Sequence, residues 1–249
     1  MSTLRRRQLS SSRREILTDN NQSEWNASYQ NRDNIVFYPH EEVIRFVSKY
    51  IRKRVGLDEY RDVLTVHRTL RMLDLGCGIG RHALYCQSMG TDSYGIDLSE
   101  TAIEVAIEWA TRCGMDDPRR KLRQGDIRQL PWEDGFFDYA ISHGVLDSMP
   151  LAVARVGVTE MARTLTAGGL FYCDLISADP SHHSPGYVGE DVVATAHERG
   201  TVQSYFDLGK IHGMIDGLFE IVECILVQRQ GITNVTHASR YHLVLRKKA

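Results

Sequence analysis

The sequence has 249 residues, of which 42% are hydrophobic and 25% are charged, and its formal net charge is −2. These values are typical of an ordinary globular protein with a sizeable core. No stretch approaches the ~20 consecutive apolar residues that span a membrane, and no secretory signal is apparent, so the expected location is the cytoplasm. The balanced charge creates no basic field and does not favour nucleic acid as a partner.

The N-terminal part of the chain divides into two segments. Residues 1–20 combine five arginines with serines and few apolar side chains, which predicts a disordered basic tail. Residues 21–69 are predicted to form a lid segment and a helix, because apolar residues recur at helical spacing from Pro39 to Arg54. The five cysteines are scattered and form no CxxC pair, so we expect reduced thiols and assign no metal site.

From residue 70 to residue 249, short apolar runs alternate with amphipathic helical runs. This alternation implies right-handed crossovers and a mostly parallel sheet covered on both faces, the doubly wound α/β class. The last two apolar runs are close enough to form an antiparallel hairpin. The predicted strands are Met72–Leu75, Ser93–Asp97, Lys121–Gln124, Phe137–Ser142, Gly169–Ile176, Phe219–Arg229 and Ser239–Arg246. The predicted helices of this part are Arg81–Met89, Glu100–Cys113, Leu151–Leu165 and Asp207–Asp216.

The strongest motif is MLDLGCGIGRH at residues 72–82, where an apolar strand runs through three glycines directly into a helix. Gly76, Gly78 and Gly80 allow sharp turns and close approach of a ligand, and the helix N-terminus presents free N–H groups. Nicotinamide dinucleotide sites use a similar loop with the spacing G-x-G-x-x-G. Here the spacing is G-x-G-x-G, and Arg81 stands where the dinucleotide motif has glycine or alanine.

Three acidic residues near predicted strand ends add to this loop. Asp74 lies inside the first strand, where a carboxylate would face a cationic ligand and not a pyrophosphate. Asp97 ends the second strand and is placed to accept both hydroxyls of a ribose. Asp126 follows the third strand and is placed to accept from an adenine amino group. The loop spacing, Arg81 and Asp74 favour a cofactor with sulfonium and ammonium groups over a dinucleotide, whereas a carboxylate at the position of Asp97 is common to both cofactor classes.

The motifs MLDLGCGIG, GIDLS, GDIRQLPWEDGFFDYAIS and TLTAGGLFYCDL occur in this order between Leu70 and Ile176. Together they resemble the class I S-adenosylmethionine-dependent methyltransferases. The resemblance implies a Rossmann-like fold with a seven-stranded sheet, S-adenosylmethionine as the cofactor, and methyl transfer as the reaction. The implied cofactor-binding residues are Asp74, Gly76, Cys77 and Gly78 at the methionine end, Asp97 and Leu98 at the ribose and adenine, Asp126 and Ile127 at the adenine edge, and Ser142.

A histidine follows the fourth predicted strand, which ends in ISHGV. Ligands of open α/β sheets bind at the carboxyl ends of the strands, so His143 is the candidate catalytic residue. An imidazole can accept a hydroxyl proton near neutral pH. A purely structural role at the strand end stays an alternative, because alignment alone can also accelerate methyl transfer.

The acceptor site is expected to come from segments outside the alternating pattern. Residues 177–206 form an irregular insertion rich in His, Gly, Pro and Ser, and long irregular insertions are often functional. This insertion and the N-terminal segment supply the candidate substrate-binding residues Tyr38, His40, His183 and Tyr205. Such polar and aromatic groups predict a small polar acceptor, such as a sugar or a biosynthetic intermediate with a hydroxyl.

Three alternatives stay open at this point. They are methylation of RNA or protein guided by the basic tail, a nicotinamide-dependent oxidoreductase, and a non-catalytic module that only binds the cofactor. The sequence also leaves open the accepting atom and a homodimeric assembly. Stabilisation by S-adenosylhomocysteine and not by a nicotinamide cofactor would distinguish a methyltransferase from a nicotinamide-dependent oxidoreductase.

Overall fold

The computed structural model describes residues 21–178, 187–195, 198–233 and 237–249. Its strands are β1 (Arg52–Arg54), β2 (Tyr60–Asp62), β3 (Arg71–Leu75), β4 (Asp92–Asp97), β5 (Leu122–Gln124), β6 (Phe137–Ser142), β7 (Leu165–Ile176), β8 (Glu190–Val192), β9 (Val202–Ser204), β10 (Phe219–Gln230) and β11 (His237–Lys247). Its helices are α1 (Gln22–Gln30), α2 (Glu41–Phe46), α3 (Arg81–Ser88), α4 (Glu100–Arg112), α5 (Pro118–Lys121), α6 (Leu151–Thr164) and α7 (Leu208–Ile215).

The central sheet contains seven strands in the order β10-β11-β7-β6-β3-β4-β5. The five strands from β7 to β5 run parallel, while β11 pairs antiparallel with both β7 and β10. This topology confirms the predicted doubly wound sheet with its antiparallel C-terminal pair. Because the parallel strands share one direction, the residues that follow Leu75, Asp97 and Ser142 meet at the same edge of the sheet.

The sheet is buried because apolar layers cover both of its faces. Strand β6 lies at the centre of the sheet, and all six of its residues are buried. Ala140 packs into one layer with Phe171, and Tyr139 and Ile141 pack into the other layer with Phe46. A strand covered on both faces needs apolar residues at consecutive positions, which explains the continuous apolar run in its sequence.

The helix predicted from Pro39 to Arg54 is shorter in the structure. Helix α2 continues only as a π-helical turn, Val47–Ile51, after which the chain enters the short strand β1. Strand β1 pairs with β2, where Nε of Arg52 lies 3.0 Å from Oδ1 of Asp62 and the Arg52 guanidinium stacks on the Tyr60 ring at 5.0 Å. These cross-strand contacts override the helical tendency of the arginines.

The predicted insertion at residues 177–206 contains a second two-stranded sheet, in which β8 pairs antiparallel with β9. The tail predicted at residues 1–20 and the candidate His183 lie outside the described residues. No helix in the described part of the chain combines the length and the apolar character needed to cross a bilayer.

Candidate functional site

The turn between β3 and α3 has a backbone conformation that favours glycine. Gly76 and Gly78 have φ angles of +69° and +53°, in the left-handed region that disfavours other side chains. Space is limiting as well, since a Cβ atom on Gly76 would lie 2.4 Å from Cγ2 of Val145. A Cβ atom on Gly78 would lie 2.5 Å from the hydroxyl oxygen of Tyr29. The loop therefore brings bare backbone to the edge of the sheet.

A cavity of about 440 Å³ lies at this edge, within the usual size range of small-molecule sites. Its wall combines the glycine loop with side chains from α1, from the ends of β4 and β6, and from the start of α6. The sequence-predicted residues on the wall are Gly76, Cys77, Gly78, Asp97, Leu98, Asp126, Ile127 and His143. Further residues on the wall include Trp25, Tyr29, Asn34, Val36, Arg81, Arg128, Val145, Ser148, Met149, Val153 and Glu198.

Asp97 presents its carboxylate to the cavity at the end of β4, although the residue is only 8% exposed. Its Oδ2 accepts a hydrogen bond from the Gly78 N–H at 2.8 Å, and its Oδ1 accepts one from the Ser99 N–H at 2.9 Å. Burial raises the pKa of Asp97 to about 6, and these two hydrogen bonds oppose that rise. Each carboxylate oxygen retains capacity to accept a hydrogen bond from a ligand hydroxyl.

Asp126 also lines the cavity, but its carboxylate is shared with a neighbouring arginine. Nε of Arg128 lies 3.0 Å from both carboxylate oxygens, and Nη2 lies 2.6 Å from Oδ2. Although burial works in the other direction, this ion pair holds the pKa of Asp126 below its ordinary value. An adenine amino group at this position would share the carboxylate with Arg128. Leu98 and Ile127 supply apolar surface on the same wall.

Two residues expected at the cofactor, Asp74 and Ser142, lie behind the cavity wall. Both are 1% exposed, and neither lines the cavity. Oδ2 of Asp74 accepts a hydrogen bond from the Ala83 N–H at 3.2 Å, which satisfies a free donor in the first turn of α3. In the structure Asp74 therefore holds the glycine loop against α3, and the expected contact of its carboxylate with the cofactor stays a prediction.

His143 lies on the wall directly after β6, with 13% of its side chain exposed. Its Nδ1 lies 3.3 Å from Nη2 of Arg81, and because a guanidinium only donates, Nδ1 accepts and the ring proton sits on Nε2. Nε2 lies 3.5 Å from Oδ2 of Asp174. Burial lowers the pKa of His143 to about 3 against the opposing effect of Asp174, so the ring is neutral at pH 7.

A buried ion-pair network lies beneath His143. Nε of Arg240 lies 2.7 Å from Oδ2 of Asp174, and its Nη2 lies 2.6 Å from Oδ2 of Asp147. The N–H of Gly144 donates to Oδ1 of Asp174 at 2.7 Å. Although burial opposes the shift, Arg240 and His143 hold the pKa of Asp174 well below its ordinary range. Asp174 is therefore a fixed negative charge behind the imidazole.

Helix α1 covers the cavity and contributes Trp25 and Tyr29 to its wall. Oδ1 of Asn26 accepts a hydrogen bond from the Ser99 hydroxyl at 2.7 Å, which fastens α1 to the start of α4. Burial raises the pKa of Tyr29 well above its ordinary value, so its hydroxyl stays protonated. The segment around these residues has no clear periodicity in sequence, and these tertiary contacts fix its position on the cavity wall.

None of the three described residues among the substrate-binding predictions lines the cavity. The His40 ring packs against the His143 ring with centroids 4.2 Å apart, so His40 supports the candidate base from behind. Tyr38 is 83% exposed, and Tyr205 is buried within the insertion. The fourth, His183, is outside the described residues. Arg81, which the sequence analysis noted only as a departure from the dinucleotide motif, lines the cavity instead.

Residues 73–173 match a family model described as a methyltransferase domain. The matched segment contains the glycine loop, Asp97, Asp126 and His143. The match supports the resemblance of this segment to the class I S-adenosylmethionine-dependent methyltransferases.

Two curated methyltransferases are related to the domain in sequence. A demethylmenaquinone methyltransferase from Staphylococcus aureus is 34% identical over 128 residues, which cover 50% of this chain and 48% of that protein. A sterol 4-C-methyltransferase from Caenorhabditis elegans is 30% identical over 140 residues, which cover 56% of this chain and 38% of that protein. The chain thus spans about half or less of the length of these relatives.

Solved methyltransferase structures share the fold. A methyltransferase from Methanosarcina mazei superimposes with a TM-score of 0.60 at 20% identity, covering 74% of this chain and 94% of that chain. A 1,6-didemethyltoxoflavin N1-methyltransferase from Burkholderia thailandensis, solved with its acceptor and S-adenosylhomocysteine, has a TM-score of 0.55 at 18% identity. It covers 73% of this chain and 72% of that chain.

The wall of the methyltransferase domain fits the family's cofactor, S-adenosylmethionine. Asp97 offers carboxylate oxygens suited to the ribose hydroxyls. Leu98 and Ile127 offer apolar surface suited to an aromatic base. The loop at Gly76 and Gly78 leaves backbone uncovered by side chains, where the amino-acid end can approach closely.

Proposed function

We propose that this chain transfers the methyl group of S-adenosylmethionine to a small-molecule acceptor, with His143 as the general base. One observation carries the proposal: a neutral imidazole, backed by Asp174, lines the same cavity as Asp97 and the glycine loop. The base is thus next to the residues that would hold the cofactor. The relatives named for demethylmenaquinone and for a sterol support a small molecule as the acceptor class.

The other residues of the cavity are proposed to bind the cofactor and to orient it towards the acceptor. When bound, S-adenosylmethionine supplies a methyl group on a positively charged sulfur atom. Asp97 would accept hydrogen bonds from the ribose, Leu98 and Ile127 would contact the adenine, and the glycine loop would hold the amino-acid end. Alignment is then the largest contribution of the chain, since well-oriented groups reach effective molarities of roughly 10⁵–10⁸ M.

His143 takes the proton of the acceptor. Its Nδ1 is the ring nitrogen on the side of the cavity, because Nδ1 faces Arg81 on the wall and Nε2 faces Asp174 behind it. Nδ1 would receive the hydroxyl proton as the O–CH3 bond forms and the S–CH3 bond breaks, with the bonding electron pair left on sulfur in S-adenosylhomocysteine. The carboxylate of Asp174, 3.5 Å from Nε2, would then stabilise the positive charge of the imidazolium. General bases contribute about 10²–10⁴-fold to a rate, and because the pKa of His143 is about 3, we expect the lower end of this range.

The finer proposal for the acceptor is a small polar metabolite, such as a sugar or a biosynthetic intermediate that carries a hydroxyl. Asn34, Ser148 and Glu198 supply polar groups on the cavity wall, which supports an acceptor with hydrogen-bonding substituents. Met149 and Val153 add apolar surface to the same wall. These groups suit a molecule that combines a ring or carbon skeleton with a small number of hydroxyls.

The N-terminal segment is proposed to act as the lid of this site. Trp25 and Tyr29 on α1 cover the cavity, and the bond between Asn26 and Ser99 fastens the helix in place. Cofactor exchange then requires α1 to move away from α4. Lids of this kind exclude water during the reaction and commit the substrate.

Binding and transfer are tested separately. S-adenosylhomocysteine is expected to raise the melting temperature of the purified chain, while NADPH leaves it unchanged. Labelled S-adenosylmethionine is then offered with phenols, sugars, RNA and a fractionated lysate. Label in small molecules supports the proposal. Label confined to RNA or protein, or no stabilisation by S-adenosylhomocysteine, contradicts it.

A further inference from the structure

Arg81 differs from the other arginines near the cavity because no acidic residue in the described part of the chain forms an ion pair with it. Within the described residues, no carboxylate oxygen lies within 4.0 Å of its guanidinium. Arg128, in contrast, lies 2.6 Å from Asp126, and Arg240 lies 2.7 Å from Asp174. Burial lowers the pKa of Arg81, as expected for a cation that has lost water without gaining a matched anion.

The two hydrogen bonds that Arg81 makes are long for a charged donor. Its Nη1 lies 3.4 Å from the carbonyl oxygen of Tyr38, and its Nη2 lies 3.3 Å from Nδ1 of His143. Charge-assisted hydrogen bonds measure about 2.7–2.9 Å and are roughly twice as strong as neutral ones. A carboxylate in the cavity would therefore compete effectively for this guanidinium.

A second donor borders the same corner of the cavity. The hydroxyl of Tyr29 lies over Gly78 and has no hydrogen-bond partner among the described residues. Tyr29 and Arg81 are close enough to shift each other's pKa. Arg81 is also the first residue of α3, where the helix dipole adds positive potential. A guanidinium, a phenol and a helix terminus together favour a small anion beside the glycine loop.

We propose that Arg81 binds a ligand carboxylate in this cavity, and that this binding releases Nδ1 of His143 to act as the base. The inference rests on the proposed methyl transfer and adds a gate, by which we mean that His143 can act as the base only after Arg81 has bound a carboxylate. Two carboxylates are candidates: the one at the amino-acid end of the cofactor, and one carried by an acidic acceptor. Both would be recognised by the same chemistry, a fork of guanidinium N–H donors.

The gate follows from the hydrogen bonds of His143. In the structure neither ring nitrogen is free to take a proton, because Nδ1 accepts from Arg81 and Nε2 carries its proton towards Asp174. Arg81 cannot accept a proton itself, so it blocks the base for as long as it donates to Nδ1. When the guanidinium turns to a carboxylate, the lone pair of Nδ1 becomes open to the acceptor hydroxyl.

This arrangement couples the binding of a carboxylate at Arg81 to proton transfer at His143. His143 becomes a base only after the anion is in place, so an acceptor that arrives first keeps its proton. The expected kinetic order is therefore cofactor first and acceptor second if the cofactor supplies the carboxylate. The coupling is local, since a single guanidinium exchanges one acceptor for another.

The first test uses two nucleosides that differ at the amino-acid end. S-adenosylhomocysteine carries a carboxylate, whereas 5′-methylthioadenosine lacks the whole amino-acid group. In protein labelled with ¹⁵N-histidine, S-adenosylhomocysteine should move the Nδ1 signal of His143 towards that of a nitrogen without a hydrogen-bond donor. Methylthioadenosine should leave the signal in place. The signal is assigned with the His143→Gln variant.

The second test measures the affinity ratio of the same two probes by calorimetry. Arg81→Gln should weaken S-adenosylhomocysteine by about 10-fold to 100-fold, the effect of losing a charge-assisted bond, and should leave methylthioadenosine nearly unchanged. Arg128→Gln is the matched control, because Arg128 lines the same cavity but is paired with Asp126. The control should not change the ratio of the two affinities.

The outcomes separate this inference from the methyl transfer on which it rests. If S-adenosylhomocysteine binds but changes neither the His143 signal nor the ratio in Arg81→Gln, benzoate is added to the loaded protein. A shift of the signal on adding benzoate assigns the carboxylate to the acceptor, and no shift overturns the inference while leaving the proposed function intact. If S-adenosylhomocysteine does not bind at all, the proposed function itself fails.

Discussion

Asp97 and Asp174 come from two regions of one sheet, the glycine-loop side at β4 and the base side at β7, and both are almost fully buried. Asp97 is bonded to the backbone N–H groups of Gly78 and Ser99, and burial raises its pKa to about 6. Asp174 is bonded to Arg240, which holds its pKa well below the ordinary range despite burial.

The two carboxylates therefore have different uses. Asp97 has no cationic partner among the described residues and borders the cavity, so its remaining lone pairs are available to a ligand. Asp174 is paired with Arg240 and lies behind His143, so its negative charge stabilises that side chain instead. The comparison teaches that burial alone does not assign a role to an acidic residue, because its bonding partners determine which neighbour it serves.

The largest effect is expected on the base side. His143→Ala should lower turnover by about 10²-fold or more, because the acceptor proton loses its base, and should leave affinity for S-adenosylhomocysteine nearly unchanged. Initial rates with labelled S-adenosylmethionine and calorimetry measure the two quantities. His212→Ala, an exposed histidine on α7, is the control. Parent-like turnover in the His143 variant would leave alignment as the whole mechanism.

On the glycine-loop side, the expected loss is in affinity for S-adenosylhomocysteine. Asp97→Ala should weaken S-adenosylhomocysteine by roughly 10-fold to more than 100-fold, the equivalent of losing charge-assisted bonds worth about 1.5–3 kcal/mol. Calorimetric affinity measures this, with the exposed Asp116→Ala as the control. An unchanged affinity in a folded Asp97 variant would remove this carboxylate from the cofactor site.

A smaller effect is expected from pH, and it too comes from the glycine-loop side. Asp97 loses its charge as the pH falls through about 6, so affinity for S-adenosylhomocysteine should fall by up to about tenfold per pH unit below that value. The same raised pKa means that the folded chain binds this proton more tightly than the unfolded chain, so Asp97 does not destabilise the fold on acidification.

The pH dependence is measured by calorimetry between pH 7 and pH 5, with the melting temperature recorded at each pH. In Asp97→Asn the side chain cannot ionise, so this part of the pH dependence should disappear. If the affinity of the variant for S-adenosylhomocysteine changes with pH as steeply as that of the parent, another group controls the affinity.

The smallest effect is expected at the lid that covers both sides. Asn26→Ala removes the hydrogen bond to Ser99, a neutral contact worth about 0.5–1.5 kcal/mol, and should weaken S-adenosylhomocysteine by roughly 2-fold to 10-fold. The dissociation rate should rise, because α1 is held less firmly. Gln30→Ala, at an exposed position of the same helix, is the control. Equal dissociation rates in both variants would argue against the lid.

The sequence by itself predicted the parts of this protein in which local pattern and structure agree. The alternation of apolar runs predicted the parallel sheet and the C-terminal hairpin, because strands covered on both faces require continuous apolar residues. The three glycines predicted the loop at the sheet edge, since their positive φ angles suit few other residues. Asp97 and His143 were found for a related reason, as each lies where a parallel strand ends.

Only the tertiary structure decided what depends on partners distant in sequence. Asp74 stands close to the glycine loop in the chain, yet its carboxylate accepts a hydrogen bond from the Ala83 N–H and the residue does not line the cavity. The tautomer of His143 is set by Arg81 and Asp174, which lie 62 and 31 positions away in the chain. Short-range sequence patterns predict the backbone conformation. The hydrogen-bond partners and charge states of side chains depend on how distant strands and helices pack together.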